Sequence, residues 1–178
     1  MIHLVIGLPG AGKSTVEAYL SVILGALAYS TDHVCERLFP QRSTSDVVDF
    51  TPQELEIVYR ALPLILSAAK RARPDVHIVF SGSFRYSWQR QLMIDAAAAA
   101  GSVASVVLVE APAGSIEERL RKRCEETSQQ GSVSGHLKVA AEFEYPADAF
   151  VINNDDDKEK LRRAVEAYAA FSTLRRLN

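Results

Sequence analysis

The chain has 178 residues, the length of one α/β domain with a full core. At 48% hydrophobic and 24% charged it is a globular sequence, neither disordered nor fibrous. Its 20 basic and 22 acidic side chains leave a net charge of −2, which does not support a broad nucleic-acid or membrane footprint and leaves room only for a local basic patch.

Ile2-His3-Leu4-Val5-Ile6 reads as a buried strand. Gly7-Leu8-Pro9-Gly10-Ala11-Gly12-Lys13-Ser14-Thr15 follows and fits G-x-x-x-x-G-K-[ST]. Val16 to Leu24 reads as a helix that Gly25 can stop. Ala26-Leu27-Ala28-Tyr29 is the second strand, and Ser30-Thr31-Asp32 ends it. A short helix is predicted from Asp32 to Leu38, with Pro40 beyond it. The polar stretch Gln41 to Asp49 reads as an exposed loop.

Thr51 then serves as an N-cap, with Pro52 at N1, Glu54 completing a capping box, and Phe50 and Leu55 spaced as a hydrophobic staple. That helix runs toward Arg73, and Pro63 is expected to kink or split it. Val76 to Phe80 is a strand by its β-branched content. A helix from about Trp88 to Ala100 closes at Gly101, and Val103 to Val109 is the fourth strand. A charged helix covers Ala113 to Glu126, a mobile segment Thr127 to Gly135, and a short helix His136 to Phe143. Phe150 to Ile152 is the last strand. Asp155-Asp156-Asp157 opens a final helix that ends near Arg175-Arg176, so both ends suit the helix dipole.

Five apolar strands alternating with helices predict a parallel sheet covered on both faces. Ligands in such sheets bind at the carboxyl ends of the strands, which selects Asp32, Ser81, Glu110 and Asn153 with their neighbours. No domain linker or internal repeat is evident, so residues 1–178 read as one domain. Cys35 and Cys124 form no metal-type spacing and read as reduced thiols. No basic leader precedes Ile2, and the apolar run from Tyr19 to Tyr29 is too short to span a bilayer. The expectation is a cytoplasmic protein, off the membrane, that is a monomer or a weak dimer.

The glycine-rich loop carries the chemistry. Backbone N–H groups from Gly7, Leu8, Pro9, Gly10, Ala11, Gly12, Lys13, Ser14 and Thr15, proline excepted, can wrap a β-phosphate without crowding. Lys13 would reach the β- and γ-phosphates, and the Ser14 hydroxyl would bind Mg²⁺. The positive end of the following helix points at the same anion. No N-K-x-D or T-K-x-D run is present to read guanine, which favours ATP over GTP.

With Ser30-Thr31-Asp32 and Leu38-Phe39, Phe84 with Trp88, Glu110-Ala111-Pro112 leading to Ile116, Arg119, Leu120 and Arg123, and Phe143 with Pro146, the chain resembles the P-loop kinases of the adenylate-kinase-like branch. The likeness is to small AAA-type ATPases and to polynucleotide-kinase-like and zeta-toxin-like proteins, and it runs from Ile2 to about Ile152. It implies the P-loop NTPase three-layer sandwich, a five-stranded sheet of order 2-3-1-4-5, and a lid over about residues 124–135. It also implies transfer of the γ-phosphoryl group of ATP to a hydroxyl of a small molecule or nucleotide. In such relatives an aspartate matching Asp32 activates the acceptor, and Asp32 can share the metal. The residue's other reading is an N-cap.

Arg119 and Arg123 share a stripe with Ile116 and Leu120. In relatives the first lid arginine covers the adenine and a later one stabilises the γ-phosphate; otherwise both would pair with Glu117, Glu118 or Glu126.

Two positions depart from the pattern. Ser81 stands where relatives hold Mg²⁺ through an aspartate, and Cys35 stands where polynucleotide-acting relatives carry an arginine that Arg37 or Arg85 could replace. Ser81 favours a second reading, an ATP-binding or slowly hydrolysing module without an acceptor. His3 and His77 read as packed strand residues, while His33 and His136 lie near the crevice. Tyr86 and Trp88 read as helix packing or as the lining of an acceptor pocket. Arg71, Arg73, Arg175 and Arg176 read as solvated helix ends.

Overall fold

A computed structural model describes residues 1–40, 50–127 and 132–177. Its elements in chain order are β1 (Ile2–Ile6), α1 (Lys13–Leu24), β2 (Leu27–Ser30), α2 (Thr31–Leu38), α3 (Pro52–Ala72), β3 (Ile78–Gly82), α4 (Ser87–Ala99), β4 (Ala104–Glu110), α5 (Ala113–Thr127), α6 (Ser132–Ala141), β5 (Phe150–Asn153) and α7 (Lys158–Leu177). Among these residues the sheet has five strands in the order β2-β3-β1-β4-β5, all pairs parallel, as expected from the sequence.

Alternation along β1 divides the core. Ile2, Leu4 and Ile6 join Leu62, Leu66, Met93 and Phe143 on the face covered by α3, α4 and α6. Val5 joins Val16, Leu20, Leu161 and Val165 on the face covered by α1 and α7. Burial on both faces is why the strands read as continuous apolar runs. The two layers of helices leave the carboxyl ends of β1, β2 and β3 facing one opening, where Gly7, Thr31 and Ser83 emerge.

His3 sits within β1 and is fully buried. Its Nδ1 is 2.8 Å from the Tyr168 hydroxyl and its Nε2 is 3.0 Å from His77 Nδ1. Burial, with help from His77, lowers its pKa from 6.5 to about 3, so the ring is neutral. His3 packs within β1 in keeping with its sequence reading, while His77 stacks on it from just before β3 rather than from within the strand.

Several expectations change. Pro63 does not split α3, which is continuous from Pro52 to Ala72. Leu55, Val58, Leu62, Leu66 and Ala69 form one buried stripe on both sides of the proline, and that packing holds the helix together. The capping box at Thr51 and Glu54 forms, and Phe50 and Leu55 share a cluster with Cys35 and Val58. β3 begins at Ile78 rather than Val76, so Ser81 lies inside the strand, paired with Val5 and Ser30. α6 begins at Ser132 rather than His136, and α5 reaches Thr127, which narrows the segment expected to be mobile. The predicted loop 41–49 and residues 128–131 lie outside the described residues. No described helix is long and apolar enough to cross a membrane.

Candidate active site

The loop between β1 and α1 takes its path from its glycines. Gly7 and Gly12 have φ of 145° and 97°, values that side chains rarely adopt. A Cβ on Gly7 would strike the Val109 carbonyl, and one on Gly12 would strike the Asn154 amide. The loop therefore lies close against β4 and the turn after β5. α1 begins at Lys13, and the Ser14 and Thr15 residues that follow are exposed. Lys13 folds back over the loop, its Nζ donating to the Leu8 carbonyl at 2.9 Å.

A cavity of about 410 Å³ opens above the loop. Gly10, Gly12, Lys13, Ser14 and Thr15 form its floor. Thr31, Asp32, Gly82 and Ser83 also line it, as do Arg119, Arg123, Asn154 and Asp156. The cavity thus gathers Lys13, Asp32, Arg119 and Arg123, which lie far apart in sequence. Burial lowers the Lys13 pKa to about 8, with Asp32 raising it and Arg123 lowering it. Surrounding protein raises the Asp32 pKa, against the pull of Lys13, Arg123 and His33. Asp32 keeps surface exposed to the open cleft, so this desolvation acts in full only when a ligand closes over it.

The cap reading of Asp32 is corrected. Ser30 is the N-cap of α2, its hydroxyl accepting from the Asp32 N–H at 3.1 Å, and Asp32 stands one residue inside the helix. The Asp32 carboxylate is thereby available to the cleft.

Arg119 pairs with Asp156, and among the described residues no pairing with Glu117 or Glu118 forms. It also donates to the Gly10 carbonyl at 3.0 Å and the Asn154 carbonyl at 3.3 Å. Asn154, itself buried, donates from Nδ2 to the Ala11 carbonyl at 2.8 Å. Arg119 and Asn154 together fasten the phosphate loop to the turn before α7. The strand-end rule reached Asn153 and its neighbours, but it named neither Asn154 nor Asp156 in a role, because spacing alone does not report a side chain that reaches a loop 143 positions earlier.

The other strand-end residues separate. Glu110 and Asn153 line a second cavity of about 450 Å³, beside Leu8, Ile116, Phe143 and Tyr145. Ser81 is buried, and its hydroxyl donates to the carboxylate of Glu17 on α1. His136 touches the loop, its Nδ1 3.1 Å from the Pro9 carbonyl. Arg85 is paired with Glu142 at 3.2 Å, and Tyr86 donates to Glu142 at 2.6 Å. Trp88 stands edge-on to Tyr59 as a packing residue. Cys35 is a buried free thiol whose pKa burial lifts to about 12, an inert small hydrophobe.

No group of three or more His, Cys, Asp or Glu among the described residues forms a metal cage. Such a cage is not what Mg²⁺ requires: it keeps several waters and takes one or two protein oxygens together with substrate phosphates. The Ser14 hydroxyl and the Asp32 carboxylate on the cavity wall fit that donor set.

Residues 2–146 match the AAA domain family. A comparison with curated proteins finds no match. Among solved structures the chain is similar to an APS kinase from Mycobacterium tuberculosis in complex with AMPPNP and APS, with 17% identity, a TM-score of 0.68 and 96% of each chain covered. It is similar to a gluconokinase from Sinorhizobium meliloti, with 15% identity, a TM-score of 0.65, and 98% of this chain and 95% of that one covered. It is also similar to an unliganded sugar kinase from a Janibacter species, with 18% identity, a TM-score of 0.64, and 93% of this chain and 92% of that one covered. At these identities the likeness is one of fold, the P-loop NTPase α/β sandwich with its sheet order 2-3-1-4-5. By its match over residues 2–146, the chain belongs to the AAA domain family.

Proposed function

We propose that the protein is an ATP-dependent kinase that moves the γ-phosphoryl group to a hydroxyl of a small molecule or nucleotide. The observation that carries this reading is the convergence of Lys13, Ser14, Asp32 and Arg123 on one cavity. The loop amides of Gly7 to Thr15 and the Lys13 ammonium hold the phosphates. Lys13 exchanges its bond to the Leu8 carbonyl for bonds to the β- and γ-oxygens.

Asp32 accepts the proton of the acceptor hydroxyl as its oxygen attacks the γ-phosphorus. The bond from that phosphorus to the β,γ-bridging oxygen breaks, and ADP leaves. A raised pKa makes Asp32 a stronger base than an ordinary aspartate. Arg123 places positive charge where the transferring group gathers negative charge, and Arg119 stands over the nucleoside. Ser14, with Asp32 nearby, would hold Mg²⁺, which when bound would supply positive charge that neutralises the phosphates. The whole chain acts as one domain.

A second reading, slow ATP hydrolysis without an acceptor, is favoured by Ser81, where an uncharged side chain replaces a metal-holding carboxylate. The deciding experiment measures ADP release from ATP with and without a panel of sugars, sugar acids, nucleosides and nucleotides. The kinase reading predicts that at least one acceptor raises turnover and becomes phosphorylated. Turnover that no acceptor changes supports the second reading.

A further inference from the structure

Ser81 is the fourth of the five residues of β3, between two functional strands. It pairs with Val5 of β1, which leads into the phosphate loop, and with Ser30 of β2, which leads to Asp32. Its side chain points toward α1, on the face opposite its neighbour Phe80. There the hydroxyl donates to Glu17 Oε2.

Glu17 follows Ser14 by three residues and Lys13 by four, so all three rise from one side of α1. Its carboxylate is half-buried, yet no lysine or arginine among the described residues pairs with it, and the Ser81 hydroxyl is its one hydrogen-bond partner there. A half-buried carboxylate held by a neutral donor is an anion awaiting a cation. Ser14, three residues earlier on the same helix face, lines the cavity and has the hydroxyl that can bring one.

We infer that Glu17, positioned by Ser81, is the outer-sphere carboxylate of the cation site, orienting the waters of a Mg²⁺ ion carried by Ser14 and the nucleotide phosphates. This rests on the Mg·ATP reading above. A long side chain from α1 and a short one from β3 together supply the negative charge that the serine alone lacks. Glu17 acts through water and through Ser81, so it is a positioning residue.

The test is ADP binding followed calorimetrically at stepwise Mg²⁺ concentrations, with thermal melting as the check on folding. Glu17→Gln keeps an acceptor for the Ser81 hydroxyl and removes the charge. The Mg²⁺ concentration that half-tightens ADP binding should rise by roughly tenfold or more in Glu17→Gln, while metal-free ADP affinity stays within about twofold. Ser81→Ala should shift the curve in the same direction by less. Adding Ser81→Asp to Glu17→Gln should return most of the Mg²⁺ response, a rescue that a purely structural latch between α1 and β3 would not give.

Superimposable Mg²⁺ curves for wild type and Glu17→Gln, with ADP bound tightly by both, would overturn the inference and leave the nucleotide reading standing. Wild-type protein that fails to bind ADP at any Mg²⁺ concentration would overturn both.

Discussion

Lys13 and Asp32 line one cavity and bias each other's charge, and in both cases burial wins. Their attraction raises the lysine's pKa and lowers the aspartate's, yet Lys13 stands at about 8 and Asp32 stays above the ordinary carboxylate range. Arg123 lowers both values. The site is thus short of negative charge until a polyphosphate enters, when Lys13 gains the anion that its ammonium needs.

A pH dependence of nucleotide binding follows. Below pH 8 the free protein already carries the Lys13 ammonium; above it, binding must first recruit a proton. ATP affinity should hold steady from pH 7 to about 8 and then fall by up to about tenfold per unit as pH rises. Calorimetry at pH 8.5 in buffers of different ionisation enthalpy should report proton uptake on binding. Affinity independent of pH through 9.5, without proton uptake, would contradict the assignment of Lys13 as the phosphate-binding cation.

Asp32→Asn tests the acceptor side. Because Ser30, not Asp32, caps α2, the substitution should leave the thermal midpoint nearly unchanged. Phosphoryl transfer to an acceptor found in the panel should fall by roughly 10²-fold or more. Nucleotide affinity should change far less. A large loss of stability with turnover per folded molecule intact would make Asp32 a structural residue.

The five strands and the phosphate loop were legible because each has a local signature: continuous apolar runs for strands buried on both faces, and glycines at fixed offsets before a Lys-Ser-Thr helix start; the sheet order came from the family resemblance, since no local pattern encodes it. Asp32 was legible because a parallel strand's carboxyl end must face the crevice. What escaped depends on long-range side-chain reach. The true partner of Arg119 is Asp156, and local helix spacing offers only Glu117, Glu118 and Glu126. Glu17 looks like an ordinary polar position on α1 until Ser81 is seen against it. The split that Pro63 could impose does not occur for the complementary reason, since a strong local rule yielded to a buried stripe on both sides of the proline.

Asn154 ties the loop to the far edge of the sheet. Asn154→Ala leaves the Ala11 carbonyl without its side-chain donor and should cost about 1–3 kcal/mol of stability in chemical denaturation. ADP affinity should fall with it, because the loop amides lose their fixed aim. Unchanged stability and unchanged affinity would show that the Asn154 contact does not set the loop's shape.

His3 makes a separate prediction, away from the cleft. The folded chain holds its pKa at about 3 against 6.5 for an unhindered histidine. Between these values the unfolded chain binds a proton that the folded chain refuses. The stability from this site is therefore whole above pH 6.5 and is lost as pH falls toward 3, at up to about 1.4 kcal/mol per unit. His3→Gln can still bond to Tyr168 and His77 but does not titrate. Unfolding free energies measured between pH 6.5 and 5 should decline less steeply in His3→Gln than in wild type, and parallel curves would contradict the burial argument.

The most direct test of the phosphate-loop reading is Mg·ATP binding to folded wild-type and Lys13→Ala protein, measured by calorimetry at pH 7. Lys13 is the cation folded over the loop, and its truncation removes the ammonium that meets the β- and γ-oxygens. Wild type should bind, and Lys13→Ala should bind roughly 10²-fold more weakly. Equal affinity in the two proteins, with Lys13→Ala melting as wild type does, would contradict the account at its centre.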